Sequence, residues 1–391
     1  MRTFRSFKHS NYRLYFAGQT LSLIGSWTQM TALMSLAYEQ THLARWSGFL
    51  IIAQIGPTVL FGVLGGKIAD RFPQRLVIAI TQIIFAAVAL LLLICYLQNL
   101  LTVQMMLVAM LIHGVAQAVD LPTRLALVPR LVHRDDLINA ISLNSLMFNA
   151  SRALGPAIAG ILITTIGFSA CFVFNFASYL AVLLAISLMR FSHEAPPLVD
   201  NREFPVAAGV IPTQIKWLIV VAGLVAVSGW PILALLPAYA DRVLQGGQEL
   251  YSQLLSCVGV GALVAALVTA SFGNEARRRK ILQIGLVFVA FGLLWLCFSK
   301  TMVLACFGCM ILGFGMILFF STGQSAVHLS VDQHHRGRVM GWWASVMSAG
   351  VPVGNLLFAP IADTLSVPLV IGLQAAMVTV TLGITYFRRI P

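Results

Sequence analysis

Long apolar runs separated by short polar breaks dominate the chain. The runs cover roughly residues 14–38, 46–68, 76–97, 101–128, 138–166, 168–190, 214–240, 250–272, 281–299, 302–328, 339–363 and 366–387. An α-helix needs about 20 apolar residues to cross the hydrocarbon core of a bilayer. Because a helix pairs its own backbone groups in hydrocarbon, the pattern predicts twelve transmembrane helices.

One segment interrupts this pattern for longer than the others. Residues 190–214, RFSHEAPPLVDNREFPVAAGVIPTQ, contain four prolines and charges of both signs but no long apolar run. The segment lies between the sixth and seventh predicted spans. We therefore expect an N-terminal six-helix bundle over 1–190, a cytoplasmic linker over 191–213 and a C-terminal six-helix bundle over 214–391.

The two halves resemble each other. NAISLNS opens the fifth span and VMGWWAS opens the eleventh, which places Ser145 and Ser345 200 residues apart. The polar loop at 65–75 has a basic counterpart at 272–280. Two repeated six-helix halves are typical of transporters that rock around a binding site near the bilayer midplane. The predicted fold is an all-α membrane protein with two pseudo-symmetric bundles.

Composition supports a lipid environment. Hydrophobic residues make up 59% of the 391 residues and charged residues only 10%, against about 45–50% and about 25% in soluble domains. The six cysteines all lie in apolar runs, where they are expected to be small packing residues. Cys306 and Cys309 form a CxxC without histidine or acidic neighbours, so we expect neither a metal nor a cofactor. No P-loop pattern for a nucleotide is present.

The net charge of +12 is explained by topology rather than by a nucleic-acid partner. With the N-terminus in the cytoplasm, 21 of the 25 basic residues fall on the cytoplasmic side. Arg45, Arg242 and Lys300 fall on the far side, and Arg152 falls within a span. This asymmetry follows the positive-inside rule and predicts that both termini are cytoplasmic. Attraction to anionic lipid headgroups is a secondary consequence.

Three ionisable residues within spans are candidates for coupling or binding, because charge is costly in the membrane. Arg152 lies about 14 residues into the fifth span, roughly 20 Å deep. Asp120 in the fourth span is its preferred partner. Either Arg152 binds an anionic group of the substrate or responds to protonation of a carboxylate, or the pair only locks helices four and five. His113 titrates near neutral pH when unperturbed, which suits a proton carrier, although a structural hydrogen bond is the commoner role.

Further candidates lie at the span ends and among the amides. Glu39 and Asp241 lie at the far-side ends of the first and seventh spans. They are candidates for an outer gate or a release site. The alternative is that they are only solvated residues at helix ends. Gln29 and Asn149 are polar positions expected to face the interior, bonding helices together or lining a polar cavity. Aromatic side chains such as Trp27 can supply apolar wall for an amphipathic solute.

The loop GGKIADRFPQR at 65–75 resembles the signature loop between helices two and three of the major facilitator superfamily. Gly65 and Gly66 are expected to let helix two approach a neighbour closely. Asp70 is expected to cap a helix N-terminus or to pair with an arginine. The basic residues, among them Arg71 and Arg75, are expected to hold the loop on the cytoplasmic face. Where the family usually has glycine and arginine, this chain has proline and glutamine. A simple topology-fixing turn is the alternative.

Two further motifs narrow the resemblance. GPAIAG, with Gly155, Pro156 and Gly160, is similar to an element of the antiporter branch in helix five; an ordinary kinked helix is the alternative. DLPTRLALVP, with Arg124, and HRGRVM, with Arg336 and Arg338, resemble the subgroup of drug and siderophore exporters, such as enterobactin exporters and macrolide efflux proteins. The likeness covers essentially the whole chain.

The resemblance implies a monomeric transporter of the bacterial inner membrane. It implies export of an amphipathic organic solute, siderophore or drug, by alternating access and in exchange for protons. The chain departs from many drug–proton antiporters because its first helix offers Gln29 rather than an acidic residue, and Met110 replaces an arginine. Proton coupling must then use other groups. Uptake of a siderophore or nutrient and lipid flipping stay as alternatives, whereas an enzyme or a passive channel is disfavoured.

Overall fold

The computed structural model describes residues 2–189, 212–271, 278–331 and 333–388. These residues form thirteen α-helices and two short 3-10 helices, at Arg2–Lys8 and Arg134–Asp136. The α-helices are α1 (Ser10–Thr41), α2 (Ala44–Arg71), α3 (Gln74–Leu97), α4 (Val103–Leu131), α5 (Leu137–Thr165), α6 (Phe168–Leu188), α7 (Thr213–Ser228), α8 (Ile232–Arg242), α9 (Gly247–Ser271), α10 (Arg278–Phe298), α11 (Met302–Ser330), α12 (Gln333–Thr364) and α13 (Val367–Phe387).

The seventh predicted span is divided, which the sequence pattern did not predict. The run 214–240 forms α7 and α8 with a break at residues 229–231. Pro231 has no N–H to donate to the carbonyl of Val227, and its ring opposes a continuous helix. The prediction of one uninterrupted helix over this run was wrong. The other eleven runs each match one helix with ends shifted by a few residues.

Eleven stretches of the described chain are long and apolar enough to cross a membrane, with residues 213–242 taken as one stretch. α1 is not among them, because several hydroxyl and amide side chains lower its hydropathy. It has 32 residues, a length of roughly 48 Å. It is therefore long enough to span the membrane, although it carries buried polar side chains such as Gln19, Thr28 and Gln29.

The chain divides into two compact units. Unit 1 comprises Met1–Leu33 and Ala53–Asn201, and unit 2 comprises Met34–Ile52 and Arg202–Pro391. The end of α1 and the start of α2 therefore group with the second half of the chain, which the sequence did not predict. Most of the predicted linker lies outside the described residues, since the structure describes nothing between 189 and 212.

Each unit has its own helix packing. In unit 1, α3 packs against α4 and α6 around Phe85, Ala89, Ala116 and Tyr179. In unit 2, α11 packs against α9 and α10, and α7 packs against α12. Trp343 of α12 is buried there. These two cores hold the polar side chains described next.

Candidate functional site

A row of polar side chains runs along one face of α4 inside unit 1. His113, Asp120 and Arg124 are spaced seven and four residues apart, which places them on one side of a helix. His113 and Asp120 are buried, at 5% and 3% exposure. We refer to these three residues as the α4 row.

Asp120 is held by α3 and by its own helix. Its Oδ1 accepts hydrogen bonds from Thr81 Oγ1 at 2.7 Å and from Gln82 Nε2 at 3.2 Å. Its Oδ2 lies 2.6 Å from Nε of Arg124. The expected partner of Asp120 was Arg152, so the ion pair is formed one helical turn away on α4 instead.

His113 belongs to a buried hydrogen-bond network of three helices, α1, α4 and α6. Its Nε2 is 3.2 Å from the hydroxyl of Tyr179, and its ring stacks on Phe85 with centroids 4.3 Å apart. The amide of Asn175 donates to the same hydroxyl at 3.3 Å and to Oε1 of Gln29 at 2.9 Å. Gln29 thus faces the interior, as expected. Nδ1 of His113 has no hydrogen-bond partner among the described residues.

Arg152 lies at the contact between α1 and α5. Its guanidinium carbon is 5.5 Å from the ring centroid of Trp27, a geometry typical of a cation–π interaction. Gly155 permits the close approach of α5 to α1, because a Cβ at this position would lie 2.3 Å from Cβ of Trp27. Thr28 also donates to the carbonyl oxygen of Gly155 at 3.0 Å. The GPAIAG motif therefore packs α5 against α1, with Pro156 buried next to the contact.

The GGKIADRFPQR loop connects α2 and α3. A Cβ at Gly65 would lie 2.0 Å from the carbonyl oxygen of Ala118, so this glycine permits the close approach of α2 to α4. Gly66 has open space instead. Asp70 and Arg71 are exposed in the last turn of α2, and the ion pair expected of Asp70 stays a prediction. Arg75 donates to the carbonyl oxygen of Ser187 in α6 at 3.0 Å.

The largest group of ionic contacts in the description of unit 2 centres on Asp363, in the last turn of α12. Its carboxylate accepts hydrogen bonds from the backbone N–H of Ala44 at 2.6 Å and of Arg45 at 3.1 Å. It also accepts from Arg45 Nε at 2.9 Å and from Arg242 Nη2 at 3.3 Å. Arg242 donates in addition to the backbone carbonyls of His42 and Ala362. We call these residues the Asp363 cluster.

Helix ends explain why this arrangement is favourable. Ala44 and Arg45 begin α2, and their N–H groups have no partner within that helix. A carboxylate at this position satisfies both donors and the positive end of the helix dipole. Arg242 lies at the negative end of α12 in the same way. The side chain of Asp363 is fully buried, whereas those of Arg45 and Arg242 are 40% and 31% exposed.

A cavity of about 320 Å³ adjoins this cluster within unit 2. Glu39 and Asp241 line it, together with Tyr38, His42 and Tyr251. Asp241 accepts a hydrogen bond from the hydroxyl of Tyr38 at 2.9 Å. Nδ1 of His42 is 3.9 Å from the Asp241 carboxylate. The two acidic residues expected at far-side helix ends thus share one cavity. We call it the Glu39 cavity.

The N-terminal 3-10 helix is fastened to the start of α5. Nε2 of His9 donates to Asp136 at 3.1 Å, and Nε of Arg5 lies 3.3 Å from the same carboxylate. The hydrogen bond from His9 and the positive charge of Arg5 hold the pKa of Asp136 below its usual range. Ser6 adds hydrogen bonds to Asn139 at 2.8 Å and 3.0 Å.

Some predicted residues contribute less or lie outside the description. The carbonyl of Gly160 accepts a hydrogen bond from Thr164 at 2.8 Å, which is a local contact within α5. The side chains of Asn149, Arg336 and Arg338 lie outside the described residues.

A second cavity of about 640 Å³ between α2, α3 and α4 is lined almost entirely by apolar side chains. It suits a lipid chain better than a polar group.

Comparison with known proteins identifies the family. The sequence model of the transmembrane secretion effector family matches residues 1–391. The chain belongs to this family of the major facilitator superfamily. Its members are membrane transporters and not enzymes. The predicted all-α membrane fold with two six-helix bundles is confirmed.

Individual relatives agree with this assignment. The transporter is 23% identical to the staphyloferrin A transporter of Staphylococcus aureus over 364 residues, with 91% of this chain and 90% of that protein covered. It is 24% identical to macrolide efflux protein A of Streptococcus pyogenes, with 92% of each chain covered. The crystal structure of the nucleoside transporter NupG has the same fold, with a TM-score of 0.71 at 14% identity, covering 95% of this chain and 97% of that one.

Sequence reasoning missed several residues of this transporter's polar clusters. Asp363 was not considered, although Arg45 and Arg242 are two of only three basic residues predicted on the far side. That scarcity was a usable signal, because isolated charges at span ends usually have partners. Thr81, Gln82 and Tyr179 were missed because hydroxyl and amide side chains are common in apolar helices and carry no distinctive spacing.

Proposed function

We propose that this transporter exports an amphipathic organic solute, such as a siderophore or a drug, by alternating access in exchange for protons. The Asp363 cluster carries the proposal. By sequence the α1–α2 connection belongs to the first six-helix half, yet Asp363 and Arg242 of the second half hold it. Such contacts have to break and re-form if two repeated halves rock around a central site.

The chemistry of the cluster suits a latch that opens repeatedly. Asp363 accepts four hydrogen bonds while closed. Because Arg45 and Arg242 are already partly exposed, water can solvate them when the latch opens, and the penalty is smaller than for a fully buried pair. The latch therefore adds stability to one conformation without making it permanent.

The relatives guide the choice of solute. One is named for staphyloferrin A, a siderophore, and another for macrolide efflux. Both names point to organic solutes rather than to simple ions. Arg152 beside Trp27 offers a cation and an apolar ring at the α1–α5 contact, which suits a solute that has both polar and apolar parts.

The α4 row is the proposed site of proton coupling. Asp120 is a buried carboxylate paired with Arg124, whose side chain is only 11% exposed. A proton bound by Asp120 would leave the charge of Arg124 buried without compensation, which is strongly unfavourable. The helices would then rearrange until Arg124 finds water or another acceptor. His113, about two turns from Asp120 on the same face, is the proposed relay.

We place the transporter in the bacterial inner membrane as a monomer with both termini in the cytoplasm. The distribution of basic residues supports this orientation. With that topology, the α1–α2 connection and the Asp363 cluster face away from the cytoplasm. The latch would then close the outer side of the transport pathway.

Transport into inside-out membrane vesicles tests the proposal. With an acidic lumen, we expect labelled erythromycin or staphyloferrin A to accumulate, and we expect collapse of the pH gradient to abolish accumulation. Asp120→Asn should remove the response to the gradient, whereas Glu249→Gln, an exposed acidic residue of α9, should retain it.

Other outcomes would contradict the proposal in distinct ways. Accumulation only in right-side-out vesicles would indicate uptake. Movement of labelled phospholipid without solute transport would indicate a flippase. Leakage without exchange of labelled for unlabelled solute would indicate a channel. Failure of both solutes to move in either orientation would overturn the proposed solute class.

A further inference from the structure

The Glu39 cavity combines features that point to a ligand. Glu39 and Asp241 place two carboxylates on its wall, and Tyr38 and Tyr251 supply aromatic rings. Its volume of about 320 Å³ is far larger than a single ion needs. Cavities that bind organic molecules start at about 300 Å³.

The charges around the cavity are unequally compensated. Asp241 accepts from Tyr38 and has His42 within 3.9 Å. The guanidinium of Arg242 is 5.9 Å from the Tyr38 ring centroid, but it also serves Asp363 and the carbonyls of His42 and Ala362. Glu39 is exposed at the rim. Two carboxylates therefore face a space in which the nearest arginine already has partners, so the cavity favours a positive guest.

Tyr251 provides an independent observation. This residue of α9 lines the cavity and is only 1% exposed. Its hydroxyl has no hydrogen-bond partner among the described residues. A buried hydroxyl without a partner is unfavourable, so such groups commonly mark a place where a ligand or an ordered molecule completes the structure. The oxygen can accept a hydrogen bond from an ammonium N–H.

We propose that the Glu39 cavity binds an organic ammonium group, with Glu39 and Asp241 compensating its charge, the tyrosine rings contacting its alkyl groups and Tyr251 accepting its N–H. Aromatic rings and carboxylates together are a recognised environment for alkylammonium ions. The inference deepens the proposed function, because it makes this cavity an outer binding site for solutes that carry a basic amine. A metal ion is disfavoured because the cavity is too wide to enclose one, and an anion because of the two carboxylates.

Binding can be measured without transport. We suggest titrating the purified full-length protein in detergent at pH 7.5 with triethylammonium, and observing the ligand by saturation-transfer NMR. Tetraethylammonium, which lacks an N–H, and 2,2-diethylbutyrate, an anion of similar shape, are comparison ligands. Glu249→Gln is the matched control, because Glu249 lies on the same end of α9 and bonds to Gln253 rather than lining the cavity.

The variants should separate the contributions of the residues. Glu39→Gln and Asp241→Asn should each weaken triethylammonium binding by about tenfold, as expected for loss of a charged partner. Tyr251→Phe should weaken triethylammonium by about three- to tenfold, the effect of one hydrogen bond, and leave tetraethylammonium unchanged. Glu249→Gln should bind both as the unchanged protein does.

Several results would overturn the inference. One is equal binding of the anion, and another is equal loss of both ammonium ligands in Tyr251→Phe. Binding that is unaffected by both carboxylate variants would also overturn it. Each of these concerns the cavity only. A protein that binds triethylammonium but moves no solute in vesicles would instead contradict the proposed function.

Discussion

Asp363 of α12 caps the first turn of α2 by accepting hydrogen bonds from both the backbone N–H and the guanidinium of Arg45. One carboxylate thus joins a helix end, a neighbouring side chain and Arg242, which comes from a third helix. The contact ties the α1–α2 connection to the second half of the chain. It gives the proposed outer latch a defined chemical centre.

Removing this carboxylate should open the latch. We expect Asp363→Ala to cost about 1–3 kcal/mol, because two N–H groups of α2 and two guanidinium groups lose a charged acceptor. That corresponds to roughly a five- to 150-fold shift toward the open form. The measurement is maleimide labelling of Ser47→Cys, a buried position near the start of α2, in a chain whose six native cysteines are replaced.

Lys300→Gln is the control for this experiment. Lys300 is exposed on the same predicted face and takes no part in the Asp363 cluster. Its replacement should leave the labelling rate unchanged. If Asp363→Ala labels no faster than the control, the cluster is a static contact and not a latch.

The buried pair in α4 should be needed for coupled transport. Asp120→Asn keeps acceptors for Thr81 and Gln82 but removes the charge that compensates Arg124. We expect gradient-driven transport to be lost in a correctly inserted protein, and Arg152→Ala to abolish it as well. In a double-mutant cycle with Arg124→Gln, the free energies of unfolding should show a coupling of about 0.5–3 kcal/mol. Normal transport in Asp120→Asn and Arg152→Ala would remove both residues from the mechanism.

The hydroxyl of Tyr179 should contribute to the stability of unit 1. Its removal in Tyr179→Phe leaves the polar groups of His113, Ser26 and Asn175 without a shared partner, at a cost of about 1–3 kcal/mol. Thermal unfolding in detergent would measure this. Tyr96→Phe is a suitable control, because the ring of Tyr96 contacts Phe168 and Phe172 instead. Equal melting temperatures for the two variants would show that the network adds no net stability.

Two glycines offer a matched test of close helix packing. Gly155→Ala places a Cβ against Trp27 and should destabilise the protein by about 1–3 kcal/mol, as overpacking typically does. Gly66→Ala meets open space and should be neutral or stabilising by up to about 1 kcal/mol, because alanine favours helices. Thermal unfolding compares the two. The opposite order would mean that α1 and α5 separate easily.

The contact between the N-terminal 3-10 helix and Asp136 should depend on pH. Because the pKa of Asp136 is lowered in the folded protein, its contribution is complete above its unfolded pKa of about 3.9 and is lost as the pH falls further. We expect Asp136→Asn to release the 3-10 helix to protease at pH 7. The difference between Asp136→Asn and the unchanged protein should shrink as the pH falls below about 3.9. No difference between the two proteins at pH 7 would instead assign the contact to the hydrogen bonds of Ser6 with Asn139.

Local patterns predicted the helices well and the break in the seventh span poorly. Eleven apolar runs match helices because hydropathy and length are properties of each segment alone. Pro231 was visible, yet transmembrane helices often tolerate proline, so its effect depended on the surrounding packing. The close approach at Gly65 was also expected from its motif, and the structure supplies its partner, Ala118. The contact of Gly155 with Trp27 came from the structure.

The sequence by itself determined the membrane class, the family and several of the costly buried charges, because these follow from composition, periodicity and motif. The tertiary structure alone decided which charges meet. It paired Asp120 with Arg124 rather than with Arg152, and it brought Asp363 to the start of α2 from 318 residues away. Ion pairs and helix caps depend on distances of about 3 Å between helices, and no local pattern in a chain of mostly apolar residues encodes which helix ends will lie side by side.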